Sequence, residues 1–211
     1  MSLVSRRLAI AAVAAAAVAG GVWLYSAVRR EPPPEIGGYV VAQPRPLPDV
    51  ELRDEHDGAF ARADFAGAWS FLYFGYTYCP DVCPLTLIEL ATVKQQLAAE
   101  LPAERSNYYF VSVDPQRDTP ERLREYVAYF DPAFRALTGT PEALTALATA
   151  TSSLFYIPER QGGDNYLVNH SSNIVLLNPA GALAAVLTPP HTPAQIAADF
   201  TTIRRYYEAM R

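Results

Sequence analysis

Apolar residues along the chain fall into three kinds of run. The first is Leu8 to Val28 (LAIAAVAAAAVAGGVWLYSAV), 21 residues without a charge. At helical rise it covers roughly 30 Å, the thickness of a bilayer core, which predicts a single membrane span. The second kind is short and rich in aromatic and branched residues. Ser70 to Tyr76 (SFLYFGY) and Tyr108 to Val113 (YYFVSV) have the pattern of strands buried on both faces. Ser172 to Leu177 and Ala182 to Thr188 flank Asn178-Pro179-Ala180-Gly181, which predicts a hairpin.

The third kind recurs at helical spacing. From Pro84 the sequence PLTLIELATVKQQLAAE places Leu87, Leu90, Val93 and Leu97 on one face and stops at Leu101-Pro102. Three Thr-Pro pairs, Thr119-Pro120, Thr140-Pro141 and Thr192-Pro193, each open a further amphipathic segment. Threonine can cap the first turn, and proline suits the first helical position. These helices are predicted to run to about Asp131, Thr151 and Met210. Between the third helix and the hairpin, FYIPERQGGDNYLVNH is an irregular excursion around Gln161-Gly162-Gly163-Asp164. The prolines and Gly37-Gly38 of residues 31–47 predict an extended stalk. The expected organisation is an anchor over 1–30, a Pro-rich linker over 31–47 and one α/β domain over 48–211.

Charge changes the picture at both ends. Arg6 and Arg7 precede the apolar segment and Arg29 and Arg30 follow it, a slight bias towards a cytoplasmic N-terminus. Cleavage after Ala17-Val18-Ala19 is the rival reading, and Ser5-Arg6-Arg7 half-matches a twin-arginine export signal. Every version sends the rest of the chain across the cytoplasmic membrane, with Trp23 and Tyr25 suited to the outer interface. The exported part carries 13 basic against 20 acidic residues, which argues against a nucleic-acid partner.

The chain has two cysteines, four apart in Thr77-Tyr78-Cys79-Pro80-Asp81-Val82-Cys83-Pro84, where the first buried strand turns into a helix. If Pro84 opens that helix, Cys83 is its N-cap, where free amide groups and the helix dipole favour a thiolate. A structural disulfide would close too short a loop to stabilise the fold much. Metal binding and thiol exchange both remain open, although thioredoxin-type cysteines have two residues between them rather than three. His56, in Asp54-Glu55-His56-Asp57-Gly58, and His191, in Pro189-Pro190-His191-Thr192-Pro193, are expected to be solvated. His170 ends the irregular loop, and by itself reads as a core or loop histidine sooner than as a ligand. Asp81 is either a weak ligand or a solvated turn carboxylate.

Phe74-Gly75-Tyr76-Thr77 with CPDVCP, then VDPQRDTP over 113–120, then Val168-Asn169-His170-Ser171, resemble the Sco/SenC proteins in order and spacing from about Pro48 to Tyr207. The resemblance implies a thioredoxin-like fold behind an N-terminal transmembrane anchor. It also implies a copper chaperone whose ligands are Cys79, Cys83 and His170, holding Cu(I) and Cu(II). The implied partner is cytochrome c oxidase subunit II, whose binuclear copper centre receives the metal, with another periplasmic copper carrier as a further expected partner. Soft thiolates suit Cu(I) and an imidazole accommodates Cu(II). Asp114, Arg117 and Asp118 are expected to brace the site. The alternative function is a membrane-anchored thiol-disulfide oxidoreductase, using Cys79 and Cys83 to keep the oxidase cysteines reduced.

Overall fold

The computed structural model describes residues 12, 14–21, 32–158 and 166–210. The described part of the N-terminal segment is helical over 14–21. Most of the predicted span Leu8 to Val28 lies outside the described residues. Among the described residues no helix is long and apolar enough to cross a membrane.

From Pro33 onwards the chain is built on an eight-stranded sheet. Its strands are β1 (Gly38–Pro46), β2 (Glu51–Asp54), β3 (Ala59–Ala61), β4 (Trp69–Gly75), β5 (Ser106–Ser112), β6 (Arg135–Gly139), β9 (Ile174–Leu177) and β10 (Ala182–Leu187). A separate pair joins β7 (Phe155–Tyr156) to β8 (Asn169–His170). The spatial order is β1-β10-β9-β4-β5-β6-β2-β3. The central strands β4, β5 and β6 are parallel. Parallel neighbours need crossovers, supplied by the helices α1 (Val82–Glu100) and α2 (Pro120–Phe130). Helices α3 (Pro141–Ala150) and α4 (Pro193–Ala209) follow β6 and β10.

All of β4 is buried, because its side chains alternate between two cores. Trp69, Phe71 and Tyr73 pack with Leu87, Leu90 and Val93 of α1, Leu123 of α2 and Phe200 of α4. Leu72 and Phe74 pack on the other face with Leu144 and Leu147 of α3. The Thr-Pro starts behave as expected. Thr119, Thr140 and Thr192 accept from the amides of Arg122, Ala143 and Gln195 at 3.3, 3.2 and 3.2 Å.

Three features depart from the sequence reading. The linker expected over 31–47 is, from Gly38 to Pro46, an edge strand antiparallel to β10. Pro44 falls where the ladder slips, between Val40 and Arg45, and Pro46 is the last residue of the edge strand, two places that tolerate a missing amide donor. Strand β6 was not evident in the sequence, and neither was the β2–β3 hairpin. Lastly, α1 starts at Val82, so Cys83 lies inside the first turn rather than at the cap, which is Asp81. Pro84 is tolerated there because the first four amides of a helix have no intrahelical acceptor.

Candidate metal centre

Strand β4 delivers the chain to the site, and Asp118 holds the loop that follows. One Asp118 oxygen accepts the Thr77 hydroxyl at 2.6 Å. The other accepts the Thr77 amide at 3.0 Å and the Ser112 hydroxyl at 2.5 Å. Burial pushes this carboxyl above the usual range, and those hydrogen bonds pull it back. From Thr77 the loop turns through the half-buried Cys79, whose amide donates to the Tyr76 carbonyl at 3.2 Å. Cys83 then points inward and is fully buried. Both cysteines are free thiols.

His170 arrives from β8, opposite Phe155 in the small β7–β8 pair. The Ser171 amide ties this arm to the Leu154 carbonyl at 2.9 Å. Its Nδ1 lies 3.0 Å from the Ser171 carbonyl oxygen, which can only accept, so Nδ1 carries the proton. That leaves the Nε2 lone pair aimed at Cys83 Sγ, 3.3 Å away. The imidazole meets the rings of Tyr76 and Tyr73 edge-on, with centroids 5.8 and 6.1 Å apart.

The ligand atoms of Cys79, Cys83 and His170 all lie within 4.8 Å of one another. Three donors around one ion, at bond lengths of about 2.0–2.3 Å, would stand roughly 3.7 Å apart. The triad therefore needs only small adjustments to close on a metal, and two thiolates with one imidazole are a donor set for a soft ion. Asp81 is exposed and is not a member of the group, which leaves it a turn carboxylate at the helix start.

The two thiols differ in the opposite sense to the sequence expectation. The hydrogen bond from the Cys83 thiol lowers Cys79 to about 4, helped by the backbone amides of Asp81 and Cys83, against the cost of burial. Cys83 is pushed up, first by that same bond and then by burial. The free amides of the helix start serve Cys79, the residue outside the helix, because Cys83 points into the core. Alkylation of the reduced protein by iodoacetamide should therefore modify Cys79 first. Its rate should stay nearly flat from about pH 6 to 8, since the thiolate is already formed. An ordinary thiol of pKa about 8.5 would react about tenfold faster per pH unit, and that slope, read by peptide mass mapping, would refute the assignment.

The other histidines stay outside the triad. His56 is exposed as expected, although its neighbour Glu55 is buried and paired with Arg135 Nε at 2.7 Å. His191 is half-buried rather than solvated, and its Nε2 donates to the Ser172 carbonyl at 2.8 Å. The Gly162-Gly163 turn and Asp164 lie outside the described residues. Tyr73 and Tyr166 look like ordinary strand and loop positions in the sequence, and Gly75 enters it only within the Phe74-Gly75-Tyr76-Thr77 motif.

The model of the family described as SCO1/SenC matches residues 44–205. The chain belongs to the SCO1/SenC family. It is 38% identical over 146 residues to a candidate copper-binding protein of Stutzerimonas stutzeri, covering 69% of this chain and 71% of that one. It is 35% identical over 164 residues to the mitochondrial SCO2 homolog of Bos taurus, covering 77% of this chain. The match spans only 60% of that longer relative. A crystal structure of ScoI from Arabidopsis thaliana with copper bound superposes with a TM-score of 0.69 at 31% identity, over 76% of this chain and 99% of that one. The fold of this chain is thus the thioredoxin-like α/β fold that the resemblance implies, with β1 at one edge of the sheet.

Proposed function

We propose that this SCO1/SenC protein binds copper through Cys79, Cys83 and His170 and delivers it to the binuclear centre of cytochrome c oxidase subunit II. The observation that carries the reading is the convergence of two sulfurs and an imidazole nitrogen within 4.8 Å. Copper in the Arabidopsis relative supports the choice of ion. The oxidase as recipient comes from the family resemblance, and another periplasmic copper carrier is the proposed donor. The apolar segment Leu8 to Val28 supports an anchor in the cytoplasmic membrane with the domain outside it.

A chaperone must meet a protein partner at its metal. Tyr78, Val82, Leu85 and Ile88 on one side of the site are exposed, as are Leu154, Tyr156, Ile157 and Leu167 around the His170 arm. They account for eight of the twelve large exposed apolar residues among the described residues, so the apolar surface is concentrated where transfer would occur.

The test is titration of the purified chain with Cu(I) and Cu(II), repeated with His170→Ala. Loss of the imidazole should weaken Cu(II) by more than tenfold and Cu(I) by less, since two thiolates still suit the softer ion. Unchanged affinity for both ions would exclude the three-ligand site.

A second reading has its own support. A half-buried thiolate beside a buried, protonated partner is the asymmetry of an attacking and a resolving cysteine. Thiol exchange would survive His170→Ala, whereas copper binding with an imidazole ligand would not.

A further inference from the structure

Cys79 and His170 are brought together from segments 91 positions apart, and one guanidinium touches both segments, at Tyr78 and at Tyr166. Arg117 follows β5 and its side chain is 8% exposed. Its Nε donates to Asp114 at 2.5 Å, and its Nη1 donates to the Tyr166 carbonyl at 2.9 Å. The guanidinium carbon lies 3.5 Å from the centroid of the Tyr166 ring and 4.7 Å from that of Tyr78. Tyr78 is the residue before Cys79, and Tyr166 lies four residues before His170 on the same arm.

Further contacts close the arrangement. The Tyr166 hydroxyl donates to Asp114 at 2.6 Å, so the same carboxylate receives both the guanidinium and the tyrosine. The Tyr76 ring supports His170 edge-on, with centroids 5.8 Å apart. Arg122 covers Tyr78 as well, 4.0 Å from its centroid, and donates to Thr77 at 2.5 Å. Arg122 therefore secures the cysteine loop alone, whereas Arg117 spans the loop and the histidine arm.

We infer that Arg117 is the positioning residue of the metal centre, a clamp that sets His170 Nε2 against the two sulfurs and so governs how well the site holds Cu(II). This rests on the copper-site reading above. Arg117 acts by fixing Tyr166 and Tyr78, and its guanidinium carbon also lies 5.5 Å from the centroid of the Tyr76 ring that supports His170. The planar fork is needed, because one group must bond Asp114 and the Tyr166 carbonyl in its plane while stacking on rings through its faces. Lysine offers a point charge that cannot do both. The ion that depends on the imidazole should suffer, and the ion satisfied by two thiolates should not.

The experiment is a double-mutant cycle on the purified full chain, titrated with Cu(I) and with Cu(II). Arg117→Ala should weaken Cu(II) by about 10–100-fold, the range for losing an outer partner of a metal ligand. Arg117→Lys should fall between it and the native protein, and Cu(I) affinity should hold within about threefold. Nitrogen hyperfine coupling from the imidazole should weaken in the Cu(II) spectrum. In a His170→Ala background, Arg117→Ala should cause no further loss, because the group it positions is gone.

Native Cu(II) affinity and nitrogen coupling in folded Arg117→Ala would overturn the clamp. Equal loss of both ions, or full additivity with His170→Ala, would overturn it as well. Failure of both Arg117 variants to fold would make the residue structural and end the proposal. If His170→Ala itself changed neither ion, the copper site would be the part that failed, a result separable from all of these.

Discussion

Cys83→Ser should yield a folded protein that no longer binds Cu(I) tightly. The fold should survive because a hydroxyl fits where the thiol sits. The Tyr73 hydroxyl is 3.9 Å from Cys83 Sγ and His170 Nε2 is 3.3 Å away, so a serine there has partners within reach. The expected stability cost is about 1–2 kcal/mol. Copper affinity should fall much further. Losing an outer partner costs roughly 10–100-fold, and a soft ligand removed from a three-donor set must exceed that range. Competition against a chromophoric Cu(I) chelator measures it. A Cys83→Ser protein within tenfold of native affinity would mean that the metal is held elsewhere. The contrast with His170→Ala is informative, since that variant retains both thiols and should retain thiol exchange.

Much of this fold was legible because its signals are local. The buried run SFLYFGY needs no partner to be recognised, and the three Thr-Pro pairs announce helices through side-chain and ring chemistry confined to one turn. Strand β6 gave no such signal. Arg135-Ala136-Leu137-Thr138-Gly139 is short and as compatible with a helix as with a strand. It becomes a strand because β5 on one side and β2 on the other supply its ladder, and because Glu55 takes both Arg135 and the Ala136 amide. Strand β1 was hidden by its prolines, whose cost disappears only at an edge with a bulge, and sheet edges are not written in sequence.

The site divides in the same way. The cysteine spacing is local, so the pair was evident from the chain itself. His170 is 87 residues from Cys83, and only the resemblance to a family singled it out before the fold placed Nε2 beside the sulfur. Which cysteine carries the thiolate is not a local property: the sequence points to Pro84 as the first helical residue, whereas the helix opens at Val82. The answer depends on which way each sulfur points, and Cys83 points into the core. The bracing by Asp118 and Arg117 was anticipated in outline, but the geometry comes from loops meeting across the top of the sheet.

Gly75 enters the sequence reading only within a buried strand and the Phe74-Gly75-Tyr76-Thr77 motif, and Gly75→Ala should disturb stability and metal binding together. A Cβ built there would lie 2.7 Å from Cys83 Sγ and 2.8 Å from Phe110 Cε2. Neither neighbour can withdraw easily, for Cys83 and Phe110 are both buried. Nor can the backbone, since Gly75 is in parallel register with Ser112 and its carbonyl accepts the Val113 amide at 2.9 Å. Overpacking of this kind costs about 1–3 kcal/mol, and in a domain of this size it should lower Tm by roughly 3–10 °C. The sulfur is the smaller obstacle, so part of the strain should be relieved by displacing Cys83 Sγ from the position it holds beside His170. Copper affinity should then fall even at temperatures where the variant is fully folded. Gly139→Ala provides the comparison, because its nearest atom is a Leu52 methyl at 3.0 Å, which need give by only a few tenths of an ångström. If Gly75→Ala matched the native protein in both melting and copper titration, Cys83 could not be packed against the strand as described. A loss of stability with native copper affinity would instead show that Phe110, rather than the sulfur, had moved to make room.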